Sequence, residues 1–322
     1  MAEAAWYFQK SLFLEDVLRA QEEQRAAQDE WDKVTNVVGI GTVTYCSRII
    51  TYEEALCYFK EKDLSPYMSA IRPVIQRSGI KLILHYLFGP PRLKLGLVPA
   101  RDFTFALAQC PFDNNNTLHL EILQTIYRKL TNTVYDCPRY GSHWERIGFQ
   151  GSHSSHDGQI VQLHSCCAGN DPATDLRGVG LLGILHLLFL TTGFGNIELV
   201  NDIYSLSRDR EQNFPFAVMS LNITRVSIEA LREEALNRHC NERNDITDVV
   251  NEFYAGTFLL LYLSWKNRKL TIKDSGFVLK ETSFFAKKKP AYVLRNLREY
   301  HEEQCPMVTS QVFTNLAALD NQ

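Results

Sequence analysis

The sequence predicts an all-α protein, an irregular multi-helix bundle with a flexible N-terminal arm, on three observations. Apolar residues recur at helical spacing in nearly every periodic segment, signals for helix starts and stops flank those segments, and strand-type alternation is scarce. The chain has 322 residues, 45% of them hydrophobic and 22% charged. That is a globular composition, long enough for one large domain or two of ordinary size.

Residues 1–45 read as a charged, partly disordered arm. The run from Glu15 to Lys33 is rich in helix formers but has few apolar positions after Leu18, which suits a solvated helix or a loose arm better than a packed one. Residues 46–111 are expected to form an N-terminal helical region. Within it, Thr51-Tyr52-Glu53-Glu54 is a capping box, in which the Thr51 hydroxyl satisfies a first-turn N–H and Glu54 reaches back. Ser65-Pro66 is a second helix start, with Pro66 where its missing N–H costs nothing. The polar turn Asp113-Asn114-Asn115-Asn116 is read as the boundary to the main domain, residues 112–304.

From there Leu118, Ile122, Ile126 and Leu130 make one stripe of an amphipathic helix. Further helices are predicted at about 178–192, 196–207, 215–236, 246–267 and 284–303. Pro215 sits at one helix start, and Lys266, Arg268 and Lys269 crowd one helix end, where cations offset the dipole. The longest apolar run, Val179 to Leu190, is shorter than the ~20 residues needed to cross a bilayer. It is expected to be a buried core helix, with His186 a core histidine that has one nitrogen satisfied. Residues 305–322 are left as a C-terminal tail.

Net charge is −3 and the isoelectric point is near 6.3. Nucleic-acid binding by phosphate neutralisation needs a basic face, so no nucleic-acid partner is expected. Lys287-Lys288-Lys289 is read as a solvated turn. The N-terminus lacks a basic stretch followed by an apolar one, position 2 is not Gly, and the C-terminus carries no prenylation box. The eight cysteines show no C-x-x-C pair. They are read as reduced thiols, and the protein is placed in the cytoplasm with no transmembrane segment.

Two stretches carry an unusual motif. One is Trp144-Glu145-Arg146-Ile147-Gly148-Phe149-Gln150-Gly151; the other is Asn170-Asp171-Pro172-Ala173-Thr174-Asp175-Leu176-Arg177-Gly178-Val179-Gly180-Leu181-Leu182-Gly183. Joined together, they resemble the signature of the ELMO domain-containing family, as do Phe214-Pro215-Phe216-Ala217-Val218 and the segment from Val249 to Trp265. The resemblance spans roughly residues 112–304. It implies a GTPase-activating protein for small GTPases of the Arf and Arf-like family in their GTP-bound state. Arg177 matches the arginine the activity requires, and the chain itself turns over no substrate. It further implies action in the cytoplasm, at the cytoskeleton, or at membranes through the GTPase partner.

Phosphoryl transfer from GTP builds negative charge on the transferring oxygens. A guanidinium supplied in trans accelerates it by about 10³–10⁵, and arginine suits the task because it stays charged and presents a planar fork of donors. Thr174 or Asp175 is expected to cap the following helix and leave Arg177 in its first turn. Gly178, Gly180 and Gly183 would let another backbone approach that helix. The competing reading is that Arg177 forms a structural ion pair with Asp171 or Asp175. Trp144, Gly148, Phe149 and Gln150 are read as scaffold for the motif. Two further readings stay open: a non-catalytic scaffold that binds a GTPase or an exchange factor, and an isoform inactivated by its insert.

That insert, residues 152–169, separates the motif's halves, has loop composition and suggests an alternative splice form. His153, His156, His164, Cys166 and Cys167 are residue types that suit zinc. Their spacing matches no closed site, so no metal is expected, nor any cofactor.

Overall fold

The computed structural model describes residues 46–149, 171–174 and 176–304, apart from 70, 72 and 74. The N-terminal arm, the insert, Gln150, Asp175 and the C-terminal tail lie outside the described residues. The described residues hold α-helices and short 3₁₀ or π turns and no strand, as the periodicity predicts.

Helix α1 (Tyr52–Glu61) opens on the expected capping box: Glu54 N donates to Thr51 Oγ1 at 3.2 Å and Thr51 N donates to Glu54 Oε2 at 2.9 Å. The short α2 (Ser65–Met68) carries Pro66 in its first turn. Two helices that the periodicity did not single out follow, α3 (Ile80–Phe88) and α4 (Val98–Gln109). In α5 (Thr117–Thr131) Ile122, Ile126 and Leu130 are buried and Leu118 packs at the edge of the core. Asn116 caps this helix by accepting from Leu118 N at 3.1 Å. The polar turn at 113–116 therefore lies inside one packing unit, whose core takes residues from both sides of it.

The long apolar run forms α6 (Gly180–Leu188), which continues into a π turn, Phe189–Gly193. That turn is tied to the start of α1, where Tyr52 N donates to Thr192 Oγ1 at 3.0 Å. Then come α7 (Ile197–Ser207), α8 (Phe216–Arg232, just after Pro215), α9 (Asn237–Arg243) and α10 (Thr247–Arg268). Helix α10 ends on Lys269 in the left-handed conformation, with Lys266 and Arg268 in its last turn. The helix predicted over 284–303 is two helices, α11 (Ser275–Lys288) and α12 (Pro290–Gln304). Pro290 cannot continue α11 without losing a backbone bond, so it begins a new helix. The lysine run is correspondingly not just a solvated turn: Lys287 lies in α11 and reaches Glu229 and Glu233 of α8, both at 2.8 Å.

Helices α6, α8 and α10 form the middle of the bundle. Helix α6 packs on α4, α5 and α8, and α10 packs on α8, α11 and α12. His186 is the core histidine that the sequence suggests. Its Nδ1 lies 2.9 Å from Thr224 Oγ1 and its ring stacks on Tyr254 at 4.2 Å. Its Nε2 has no hydrogen-bond partner among the described residues.

Candidate functional site

The site is assembled from two turns. The first is the 3₁₀ segment Ser142–Ile147, which lays Trp144 into the core with none of its surface exposed. The Trp144 indole donates to Arg139 O at 3.0 Å, and its ring meets Tyr127 edge-on at 5.3 Å and Phe149 at 6.2 Å. Gly148 ends the turn at φ 86°. A Cβ there would stand 2.2 Å from Phe216 N and 2.6 Å from Pro215 C, so only glycine lets this turn abut the start of α8. Val218 N donates to Gly148 O at 3.2 Å and fixes that contact. Trp144, Gly148 and Phe149 are thus all buried.

The second turn begins at Asp171. One carboxylate oxygen of Asp171 accepts from Ala173 N at 2.8 Å and from Arg139 Nη2 at 2.5 Å. Arg139 also donates to Asn114 and lies over the rings of Phe112 and Tyr140. Arg139 therefore couples the two halves of the motif: its carbonyl holds Trp144 and its guanidinium holds Asp171. Thr174 does not cap a helix. It sits in the 3₁₀ turn Pro172–Thr174, and its hydroxyl donates to Asp171 O at 2.8 Å.

Arg177 lies ahead of α6, not in its first turn. Leu176 and Val179 are buried, and Val179 N donates to Leu176 O at 3.0 Å, which closes a four-residue turn. Its two central residues are Arg177 at φ 49° and Gly178 at φ 72°, the pattern of a type I′ turn. Both ends of the turn are anchored in the core, while Arg177 is half-buried and Gly178 exposed. Arg225, an exposed residue on α8, donates from its guanidinium to Arg177 O. The Arg225 guanidinium thus rests on the backbone of the Arg177 turn. Helix α6 then starts without a side-chain cap. Leu181 N donates to Cys110 O at 2.9 Å, and a Cβ on Gly180 would meet Cys110 O at 2.6 Å. Gly180 is thus the glycine that admits another backbone; Gly183 faces the Leu221 and Val179 side chains, and Gly178 has open space.

Other chemistry is thinly supplied. Burial pushes the Cys137 and Cys240 thiols up to about 12, so neither offers a thiolate near neutral pH. Among the described residues no cluster of three His, Cys, Asp or Glu side chains is placed to hold a metal ion. The histidines and cysteines of the insert lie outside the described residues. No helix among the described residues is long and apolar enough to cross a membrane.

The ELMO/CED-12 family model matches residues 102–158 and 168–279, with its interruption inside the insert. The chain belongs to the ELMO/CED-12 family, whose members take part in small-GTPase signalling. It is 43% identical to mouse ELMO domain-containing protein 3 over 297 residues, covering 91% of this chain and 71% of that one. To the human ELMO domain-containing protein 3 it is 42% identical over 278 residues, 85% of this chain and 68% of that one. To human ELMO domain-containing protein 2 it is 26% identical over 180 residues, 56% of this chain and 51% of that one. No solved structure matches it.

Proposed function

We propose that this protein activates a small GTPase of the Arf or Arf-like family, with Arg177 supplied in trans to the GTP site. The observation that carries the reading is the backbone at Arg177. A left-handed conformation costs a non-glycine residue roughly 1–2 kcal/mol, and turns with this φ pattern favour Gly, Asn or Asp. A long cationic side chain there is a poor choice for folding and a good one for placing a charge. Buried Leu176 and Val179 hold the turn's ends, and Arg225 holds its carbonyl. The backbone from which the Arg177 side chain leaves is therefore fixed, and Arg225 adds positive charge beside that backbone.

The test is single-turnover GTP hydrolysis by a panel of Arf-family GTPases with the protein added. Stimulation is expected from the wild type and is lost by at least tenfold in Arg177→Lys, which keeps the charge but not the planar fork. Arg177→Asn tests the turn itself. It should melt at the wild-type temperature or above while stimulating no hydrolysis. Wild-type rates in correctly folded variants would reduce Arg177 to scaffold.

The half-burial of Arg177 favours a second reading, in which the protein binds its GTPase without stimulating hydrolysis. GTP-dependent binding with unchanged hydrolysis in every GTPase of the panel selects that reading.

A further inference from the structure

Helix α3 is out of keeping with the rest of the bundle. Its sequence is Ile80-Lys81-Leu82-Ile83-Leu84-His85-Tyr86-Leu87-Phe88, and none of its described side chains is buried. Ile80 is 76% exposed, Tyr86 74%, Leu87 63% and Phe88 81%. Leu82, Ile83 and Leu84 are each more than half exposed, so the apolar surface is wide, and the polar residues Lys81 and His85 fall four positions apart, on one side of the helix. A helix with so wide an apolar face is expected to bury it. Contiguous exposed apolar surface of this kind marks an interaction site.

The charge around α3 says which kind. Between Asp63 and Asp102 the chain has no acidic residue; of the basic ones there, Arg77 pairs with Glu234 and Arg101 with Asp102, while Arg92 and Lys94 are exposed. This concentration occurs in a protein whose net charge is −3. One anchor ties α3 to the body: Glu234 binds Arg77 at 2.7 Å and His85 at 2.8 Å. Beside it opens a cavity of about 680 Å³ lined by Leu82, Tyr86, Pro91 and Arg92, with Arg92 over the Tyr86 ring. Arg92 and Leu95 are exposed beyond the end of the helix.

We infer that α3 is a membrane-surface anchor that inserts into the interface of an anionic lipid bilayer. At 1.5 Å per residue it is about 14 Å long, far short of a hydrocarbon core of about 30 Å. It therefore lies in the interface, with the aliphatic side chains and Phe88 among the acyl chains and Tyr86 at the headgroup level. Arg92 and Lys94 meet the lipid phosphates and carboxylates. An apolar helix with the exposed basic residues Arg92 and Lys94 just beyond its end fits an anionic lipid surface. The inference rests on α3 alone and does not depend on the reading of Arg177.

Flotation of the full chain with vesicles tests it. One set is phosphatidylcholine alone and the other contains about one-third phosphatidylserine, in keeping with anionic-lipid attraction. At least tenfold more protein should float with the anionic vesicles, and raised salt should reduce the difference. The variant Ile83→Gln/Leu87→Gln/Phe88→Gln, whose positions are all exposed, should keep its melting temperature and lose that binding at least tenfold. Arg92→Gln/Lys94→Gln should lose the preference for phosphatidylserine. A wild-type chain that floats with neither vesicle overturns the inference, as does a folded triple variant that floats like the wild type. Self-association abolished by the triple variant, with no vesicle binding, also overturns it and makes α3 a contact between copies.

Discussion

His186 is wholly enclosed in α6, with its ring against Tyr254 and one nitrogen beside Thr224. Burial holds its pKa down to about 3, against about 6.5 in an unfolded chain. Between those values the unfolded state binds a proton that the folded state refuses. Stability is therefore complete above about pH 6.5 and is lost as pH falls toward 3, by about 1.4 kcal/mol per unit. His119, lowered to about 4 chiefly by burial, acts in the same direction. In His186→Gln the fall in melting temperature between pH 7 and pH 5 should be smaller than in the wild type. An equal fall in both proteins would assign the acid sensitivity to other groups. His186 was legible in the sequence because an imidazole inside an apolar run has few alternatives to the core. Arg139 and Arg225 were not. Their contacts to Asp171 and to Arg177 O span 32 and 48 residues, and no local pattern marks an arginine whose partner is that remote. Arg177 was legible only as a motif position, and its left-handed backbone was not, since Gly178 signals the turn's second central position while an arginine at the first does not.

Helices α10 and α12 cross closely at Gly256. A Cβ there would lie 2.8 Å from both Val293 O and Val293 Cγ1. Propensity alone predicts that Gly256→Ala stabilises the middle of α10 by about 1 kcal/mol. Overpacking against a backbone carbonyl predicts the opposite, a loss of about 1–3 kcal/mol. The contact is the stronger term, so the denaturation midpoint of Gly256→Ala should fall; a rise would mean that α12 moves aside at no cost. The same contest between local and tertiary terms explains which elements the sequence revealed. The cap at Thr51, the proline at 66 and the stripe in α5 are local devices and appear where they were read. The break between Lys288 and Pro290 was missed because the apolar spacing runs on across it, although Pro290 itself is a start signal. Helix α3 has only Lys81 and His85 as a polar side, too little to mark it as a surface helix. Its charge-poor apolar sequence resembles a buried segment, whereas its side chains are exposed.

The described residues from 46 to 304 share one hydrophobic core, and the motif's halves meet within it although residues 152–169 separate them in sequence. Among the described residues the halves are joined through Arg139, which holds Trp144 and Asp171, and through α8, whose Val218 N and Arg225 hold the carbonyls of Gly148 and Arg177. Deleting residues 152–169 joins Gly151 to Asn170 and restores an uninterrupted Gly-Phe-Gln-Gly-Asn-Asp-Pro run. The helices and the Arg139 bridge should survive. Shortening the connection lowers the entropy of closing it, a gain of only about 1–2 kcal/mol because that cost grows slowly with loop length. Stimulation of GTP hydrolysis should respond more strongly. Rate depends exponentially on how well the arginine meets the transition state, and a short connection to Asp171 narrows the positions open to the turn at Arg177. Thermal melts and single-turnover hydrolysis, run side by side on both proteins at equal concentration, separate the two effects. A rise in melting temperature larger than loop closure allows would mean that the insert also disturbs packing near Trp144 and Phe149. A deletion variant that melts no higher and stimulates no better would make the insert neutral, with the contacts through Arg139 and α8 sufficient to set the geometry.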